Sequence, residues 1–208
     1  MRILYIDTSS SYLYTAISEN NTLLCEIKKE FGHSLSEEAL PEIVSMFENN
    51  KLSASDVDKI IVVDGPGSFT GIRIGITIAK VYAWSLNIPI TTITSLEAMS
   101  LSSDTNKIHV PMIDARRQYV FSAIYDTNNR QILKPQHIKI DDLKQELEKI
   151  EDYIVITNDE LEEFENKEKY DPDIMKIINF YKDKKAINPH AVNPDYLKLT
   201  EAEESKLN

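Results

Sequence analysis

Residues 6–17 read IDTSSSYLYTAI and residues 113–124 read IDARRQYVFSAI. Aligned without a gap, they share Ile6/Ile113, Asp7/Asp114, Tyr12/Tyr119, Ala16/Ala123 and Ile17/Ile124, with Tyr14/Phe121 and Thr15/Ser122 as near matches. Each runs from an apolar segment into an Asp, turns through polar residues, and enters a second segment of alternating side chains. That is the pattern of a β-hairpin. Strand patterns are cheap, so two hairpins can look alike by chance. An offset of 107 residues (6 to 113) in a chain of 208 points instead to a duplicated unit.

Between the copies the pattern is α/β. Residues 22–30 continue the first sheet, and KIIVVD over Lys59–Asp64 is apolar enough for a strand buried on both faces. Ser34 and Glu37 are spaced as a capping box ahead of the stripe Leu35, Ala39, Leu40, Ile43, Val44 and Phe47, which predicts a helix. The segment after the glycines reads two ways. Ile72, Ile74, Ile76 and Ile78 alternate like a strand, while Gly71, Gly75, Ala79 and Ala83 recur every four residues. From Gly71 to Leu86 it is too long for an ordinary strand, so it is read as a helix with one smooth face open to close approach. Ile90–Ile93 and 153–157 predict strands, Ser95 caps a short helix, 174–182 is a further helix, and the apolar pattern lapses at 102–107. The arrangement resembles the two-domain ribonuclease-H-like architecture of the actin-like ATPases.

Charge narrows the function classes. There are 34 acids against 23 Lys and Arg, a formal charge of −11. Fourteen acids and four bases lie in 141–173, so that stretch alone carries −10. Mixed with Lys, the run reads as solvated helix and loop. A chain this acidic is not expected to grip nucleic acid unaided, because phosphate binding needs a basic surface. The lone Cys25 excludes a disulfide framework and any Cys-rich metal site. The opening MRILYIDTSS has too short an apolar run for a signal peptide, and no segment approaches membrane-spanning length. A cytoplasmic chain without a membrane partner is expected.

Four of the five glycines, Gly65, Gly67, Gly71 and Gly75, fall in GPGSFTGIRIG between a strand and a helix. Backbone N–H groups at such a place often hold phosphate. The candidate phosphate or nucleotide contacts are Gly65, Gly67, Ser68 and Thr70, with Asp7, Thr8 and Ser9 at the end of the first strand. The loop lacks a Gly-Lys-Ser/Thr ending and has one residue too many for GxGxxG, so a tight structural turn explains the spacing equally well. Asp7 and Asp114 are placed as strand-end magnesium ligands, but no glycine follows either to leave room for phosphate. His33 and Glu37 are two ligands without a third, and no metal is expected.

Residues 62–100, VVDGPGSFTGIRIGITIAKVYAWSLNIPITTITSLEAMS, are similar to the signature of the TsaB (YeaZ) family. ILYIDTSS, HSLSEEALPEI, IDARRQYVF and PDYLKL match the same family in the same order, densely over 1–125 and sparsely over 126–187. The resemblance implies two actin-like lobes, 1–103 and a reduced 104–208, with the tail 189–208 packing back on the first. It implies a non-catalytic protein without a cofactor that orders a TsaD-type catalytic subunit. That complex forms threonylcarbamoyladenosine at position 37 of tRNAs reading codons that start with A. A TsaE-type ATPase would be the third member, self-association would give a homodimer in isolation, and tRNA would be met only through the complex. Helices 34–48 and 71–86 would contact the partner, making Leu35, Leu40, Ile43, Gly71, Ile72, Gly75, Ile76, Ala79 and Tyr82 the expected interface. Glu37 stands where the TsaD relative has the second His of its metal motif. Gln118 replaces a common acid and Lys198 a common Arg. The alternatives are an actin-like ATPase or small-molecule kinase with a degenerate phosphate site, and a metalloprotease-like protein.

Overall fold

Strand β1 (Arg2–Asp7) sits at the centre of a five-stranded sheet and is apolar on both faces. Leu4 and Ile6 point into one cluster, Ile3 and Tyr5 into another, as the two-residue period of a strand requires. It pairs antiparallel with β2 (Tyr12–Glu19), which pairs antiparallel with β3 (Thr22–Glu30). On its other side it runs parallel to β4 (Lys59–Gly65), and β4 to β5 (Ile90–Thr94). Helix α1 (Leu35–Asn49) joins β3 to β4, α2 (Phe69–Leu86) joins β4 to β5, and α3 (Ser95–Ser102) follows β5. The computed structural model describes residues 1–198.

The second sheet repeats this order. β6 (Ile108–Asp114), β7 (Tyr119–Tyr125) and β8 (Gln131–Lys139) form the antiparallel meander, and β9 (Tyr153–Thr157) and β10 (Lys167–Lys169) add in parallel. Orders β3-β2-β1-β4-β5 and β8-β7-β6-β9-β10 therefore correspond strand for strand. α4 (Ile140–Leu147) matches α1, and α5 (Ile174–Tyr181) matches α3. The counterpart of α2 is missing: β9 passes to β10 through 158–166, within the acidic stretch, with no helix. This is the architecture of two ribonuclease-H-like lobes of the actin-like class, the second one reduced.

The last helix of each lobe crosses to the other. Leu96 and Met99 of α3 pack with Ala123, Tyr125 and Ile156 of the second sheet. Ile174, Ile177, Ile178 and Tyr181 of α5 pack with Tyr5, Tyr14, Ile61 and Val63 of the first. Residues 174–181, expected in a separate second lobe, thus complete the core of the first. The tail also lies on the first lobe as far as it is described. Val192 is buried beside α2, Lys80 Nζ donates to the Val192 carbonyl (2.7 Å), and the Asp195 amide donates to the Asp64 carbonyl (2.7 Å). Residues 199–208 of the expected tail contact lie outside the described residues.

Three local expectations need correction. The capping box at Ser34 does not form: a 3-10 turn, Gly32–Ser34, leads into α1, and the Ser34 hydroxyl donates to the Phe31 carbonyl (2.9 Å). Thr94 caps α3 by accepting from the Glu97 amide (3.1 Å), while Ser95, one residue inside, donates to the Pro66 carbonyl. The two hairpins also differ in register. Ile6 faces Thr15, but its equivalent Ile113 faces Phe121 and not Ser122. The second turn is one residue tighter because Arg116, Arg117 and Gln118 all adopt left-handed φ angles of 65°, 54° and 63° and bring the chain back sooner.

Candidate functional site

The residues singled out for phosphate lie close together, but Asp7, Thr8, Ser9 and Ser68 are tied up by hydrogen bonds within this turn and loop. Asp7 ends β1 and its Oδ1 accepts the Ser9 amide (2.8 Å); burial raises its pKa. Thr8 Oγ1 donates to the Gly71 carbonyl (2.7 Å), and the Ser68 amide donates to the Ser9 carbonyl (2.7 Å). The Ser68 side chain caps α2 by accepting from the Gly71 amide (3.2 Å). A Cβ at Gly67 would overlap the Ser9 carbonyl oxygen, one at Gly71 the Thr8 carbonyl oxygen, and one at Gly75 the Thr8 hydroxyl. The glycines are therefore needed for the close approach of β1's own turn, and the Ser9, Ser68 and Gly71 amides are already engaged within it.

Between the lobes lies a cleft of about 1270 Å³, reached by Asp7, Ser9, Gly67, Ser68 and Thr70. Its charged walls favour the acidic side: Asp7, Glu30, Asp159 and Asp171 against Lys28 and Lys169. Lys28 is already paired with Asp171 (3.2 Å). Glu30 accepts from the Tyr12 hydroxyl (3.1 Å), and Asp159 Oδ2 accepts the Asp114 amide (2.7 Å). A polyphosphate would meet repulsion there. Asp7 and Asp114, the magnesium candidates, each hold an amide two residues on in their own turns. Among the described residues no group of three or more His, Cys, Asp or Glu side chains could hold a metal ion.

The expected partner interface divides in two. Leu35, Ile43, Gly71, Ile72, Gly75, Ile76 and Ala79 are buried within the chain, so they do not form an open docking surface in this structure. Gly71 and Gly75 of the smooth stripe lie against Thr8, and Gly75 also against Ile6 of β1. Tyr82 is half-buried: its hydroxyl donates to the Ala54 carbonyl and its ring meets Phe47 edge-on at 6.2 Å. Leu40 is open, at 53% exposure. The structure adds exposed apolar groups not foreseen as interface: Val44, Phe69, Val81 and Trp84, the last at 65%. Their signal was present in the sequence. With Gly71, Gly75 and Ala79 facing inward, Arg73, Thr77, Val81 and Trp84 must face outward on the same helix.

The fold and this face define a two-lobed α/β protein of actin-like type whose glycine loop serves packing. A family model described as "TsaD: tRNA N6-adenosine threonylcarbamoyltransferase" matches residues 29–177. A Bacillus subtilis relative, "tRNA threonylcarbamoyladenosine biosynthesis protein TsaB", is 32% identical and covers 98% of this chain and 96% of its own. A TsaB of Buchnera aphidicola is 36% identical over 47% of this chain and 46% of its own. The solved "YeaZ from Pseudomonas aeruginosa" superposes with a TM-score of 0.75 over 94% of this chain and 99% of that one, at 18% identity, a likeness of fold. The chain belongs to the TsaB (YeaZ) family.

Proposed function

We propose that this chain serves the synthesis of threonylcarbamoyladenosine in tRNA as a non-catalytic subunit that docks and orders a TsaD-type catalytic subunit. The modified position is adenosine 37 of tRNAs reading codons that start with A. One observation carries the reading: the outer faces of α1 and α2 leave Leu40, Val44, Val81 and Trp84 exposed while the inner faces of both helices are buried. An apolar face of this kind on a helix pair marks a protein contact. In the absence of that partner, a second copy of the chain would cover the same face. A TsaE-type ATPase joins as third member, and tRNA is met through the assembled complex, in keeping with a charge of −11. No helix is long and apolar enough to cross a membrane among the described residues; the cytoplasm is the proposed location.

The test is co-purification with the TsaD homologue of the same genome, followed by tRNA modification with and without this chain. Leu40→Asp and Val81→Asp should abolish co-elution and modification while leaving the monomer's thermal midpoint close to wild type. Full modification by the catalytic subunit alone would refute the role.

A further inference from the structure

We infer that Arg73 is a preset anchor for a carboxylate on the catalytic subunit, and that this ion pair fixes the register of the contact across α1 and α2. The inference rests on the docking proposed above and names the chemical group that the docking face selects. Arg73 lies on the outer side of α2, in line with Thr77, Val81 and Trp84 at intervals of four, four and three residues. All four are exposed. It is the one charged member of that otherwise uncharged line.

Its guanidinium does not sweep freely. The guanidinium carbon stands 3.8 Å from the centre of the Phe69 ring, and Nε donates to the Tyr196 hydroxyl at 2.7 Å. Phe69 and Tyr196 are themselves stacked at 4.7 Å, so two aromatic rings and one hydrogen bond fix the group. That geometry engages Nε and one π face of an exposed side chain, and no hydrogen bond among the described residues takes up its terminal nitrogens. A planar fork held in this way suits bidentate carboxylate recognition, and its ordering cost is met before the partner arrives.

Charge supplies the second line of argument. The chain has 34 acids, and Arg2, Lys28, Lys29, Lys107, Lys149 and Lys176 each pair with one. Among the described residues no carboxylate lies within pairing distance of Arg73, as is also true of most other Lys and Arg side chains, so its charge is free for a partner's carboxylate. A lone charged position in an apolar helix contact penalises every alignment in which it meets no counter-charge. Arg73 would thereby reject shifted or wrong partners more than it adds affinity.

The affinity of the co-purified TsaD homologue is measured by calorimetry at 50 and 300 mM salt for wild type, Arg73→Gln and Leu40→Asp. Arg73→Gln should bind at least ~10-fold more weakly at low salt and lose most of the salt dependence. A purely structural role at the Tyr196 contact would lower the thermal midpoint without changing the salt dependence. Wild-type affinity and salt dependence in Arg73→Gln, with Leu40→Asp not binding, would overturn the anchor and leave the docking intact. Wild-type binding by both variants would overturn the docking itself. Phenylglyoxal labelling of the native protein, read by mass spectrometry, covers the case of a variant that does not fold. Arg73 should be protected in the complex relative to the free chain at a dilution where it is monomeric; labelling there as fast as in the dilute free chain contradicts the inference.

Discussion

The Thr8 hydroxyl donates to the carbonyl of Gly71 at 2.7 Å, joining the end of the first strand to the first turn of α2. The same residue's carbonyl oxygen lies where a Gly71 side chain would have to be, and its hydroxyl lies where one at Gly75 would be. Gly71→Ala forces two backbones apart and should cost about 3 kcal/mol; Gly75→Ala meets a side chain that can turn and should cost about 1 kcal/mol. Urea unfolding of the isolated chain checks the order. A partner-binding defect in either variant with unchanged stability would return the stripe to the docking face.

Lys59 is buried in β4, and its ammonium donates to the carbonyls of Tyr181 (3.1 Å), Lys182 (2.8 Å) and Lys184 (2.7 Å). It closes the C-terminal end of α5, where carbonyls lack intrahelical partners. Lys59→Met keeps most of the stem and strands three acceptors, a loss of about 2–3 kcal/mol. Equal urea midpoints for the two proteins would mean that water replaces the ammonium without cost.

Asp64, at the end of β4, carries a carboxyl that burial pushes up to about 7, with the Asp195 and Glu97 carboxylates adding repulsion. The unfolded chain ionises this group near pH 4. Its stabilising share is therefore complete below pH 4 and is lost as pH rises through about 7. Between pH 5 and 8 the urea midpoint should fall, and Asp64→Asn should flatten that fall by about 1–3 kcal/mol. An identical slope in the variant would assign the dependence to another group.

Residues 1–103 expressed alone should fail to fold. They lack Ile174, Ile177, Ile178 and Tyr181, which close one face of the sheet, and Val192, which is buried beside the other. The expected product has poorly dispersed amide resonances and binds a hydrophobic dye. A cooperative thermal transition would show that the lobe is sufficient.

The strands and helices were legible because their periods are local. β1, β4 and α2 follow from alternation, unbroken apolar runs and a four-residue repeat of small side chains. What covers each face was not legible. Gly71, Gly75 and Ala79 announce a close neighbour, and only the fold reveals that at Gly71 and Gly75 it is Thr8. The apolar side of α5 predicts burial, yet nothing in 174–181 states that it crosses to the other lobe. Ser34 fits a capping motif by spacing, but the 3-10 turn before it turns its hydroxyl to Phe31. The one-residue difference between the hairpins was hidden by an ungapped match, because Thr15 and Ser122 both still donate to a carbonyl of the adjacent strand, Tyr5 and Pro111 respectively.

The crossing of α5 and the docking of Val192 also set an order in time. A ribosome releases β1 to β5 by residue 94, but the residues that cover this sheet come from 174–181 and 192. Until they emerge, Tyr5, Ile61 and Val63 have no α5 to rest against, and the nascent sheet is open to chaperones on that side. The lobe made first is finished last.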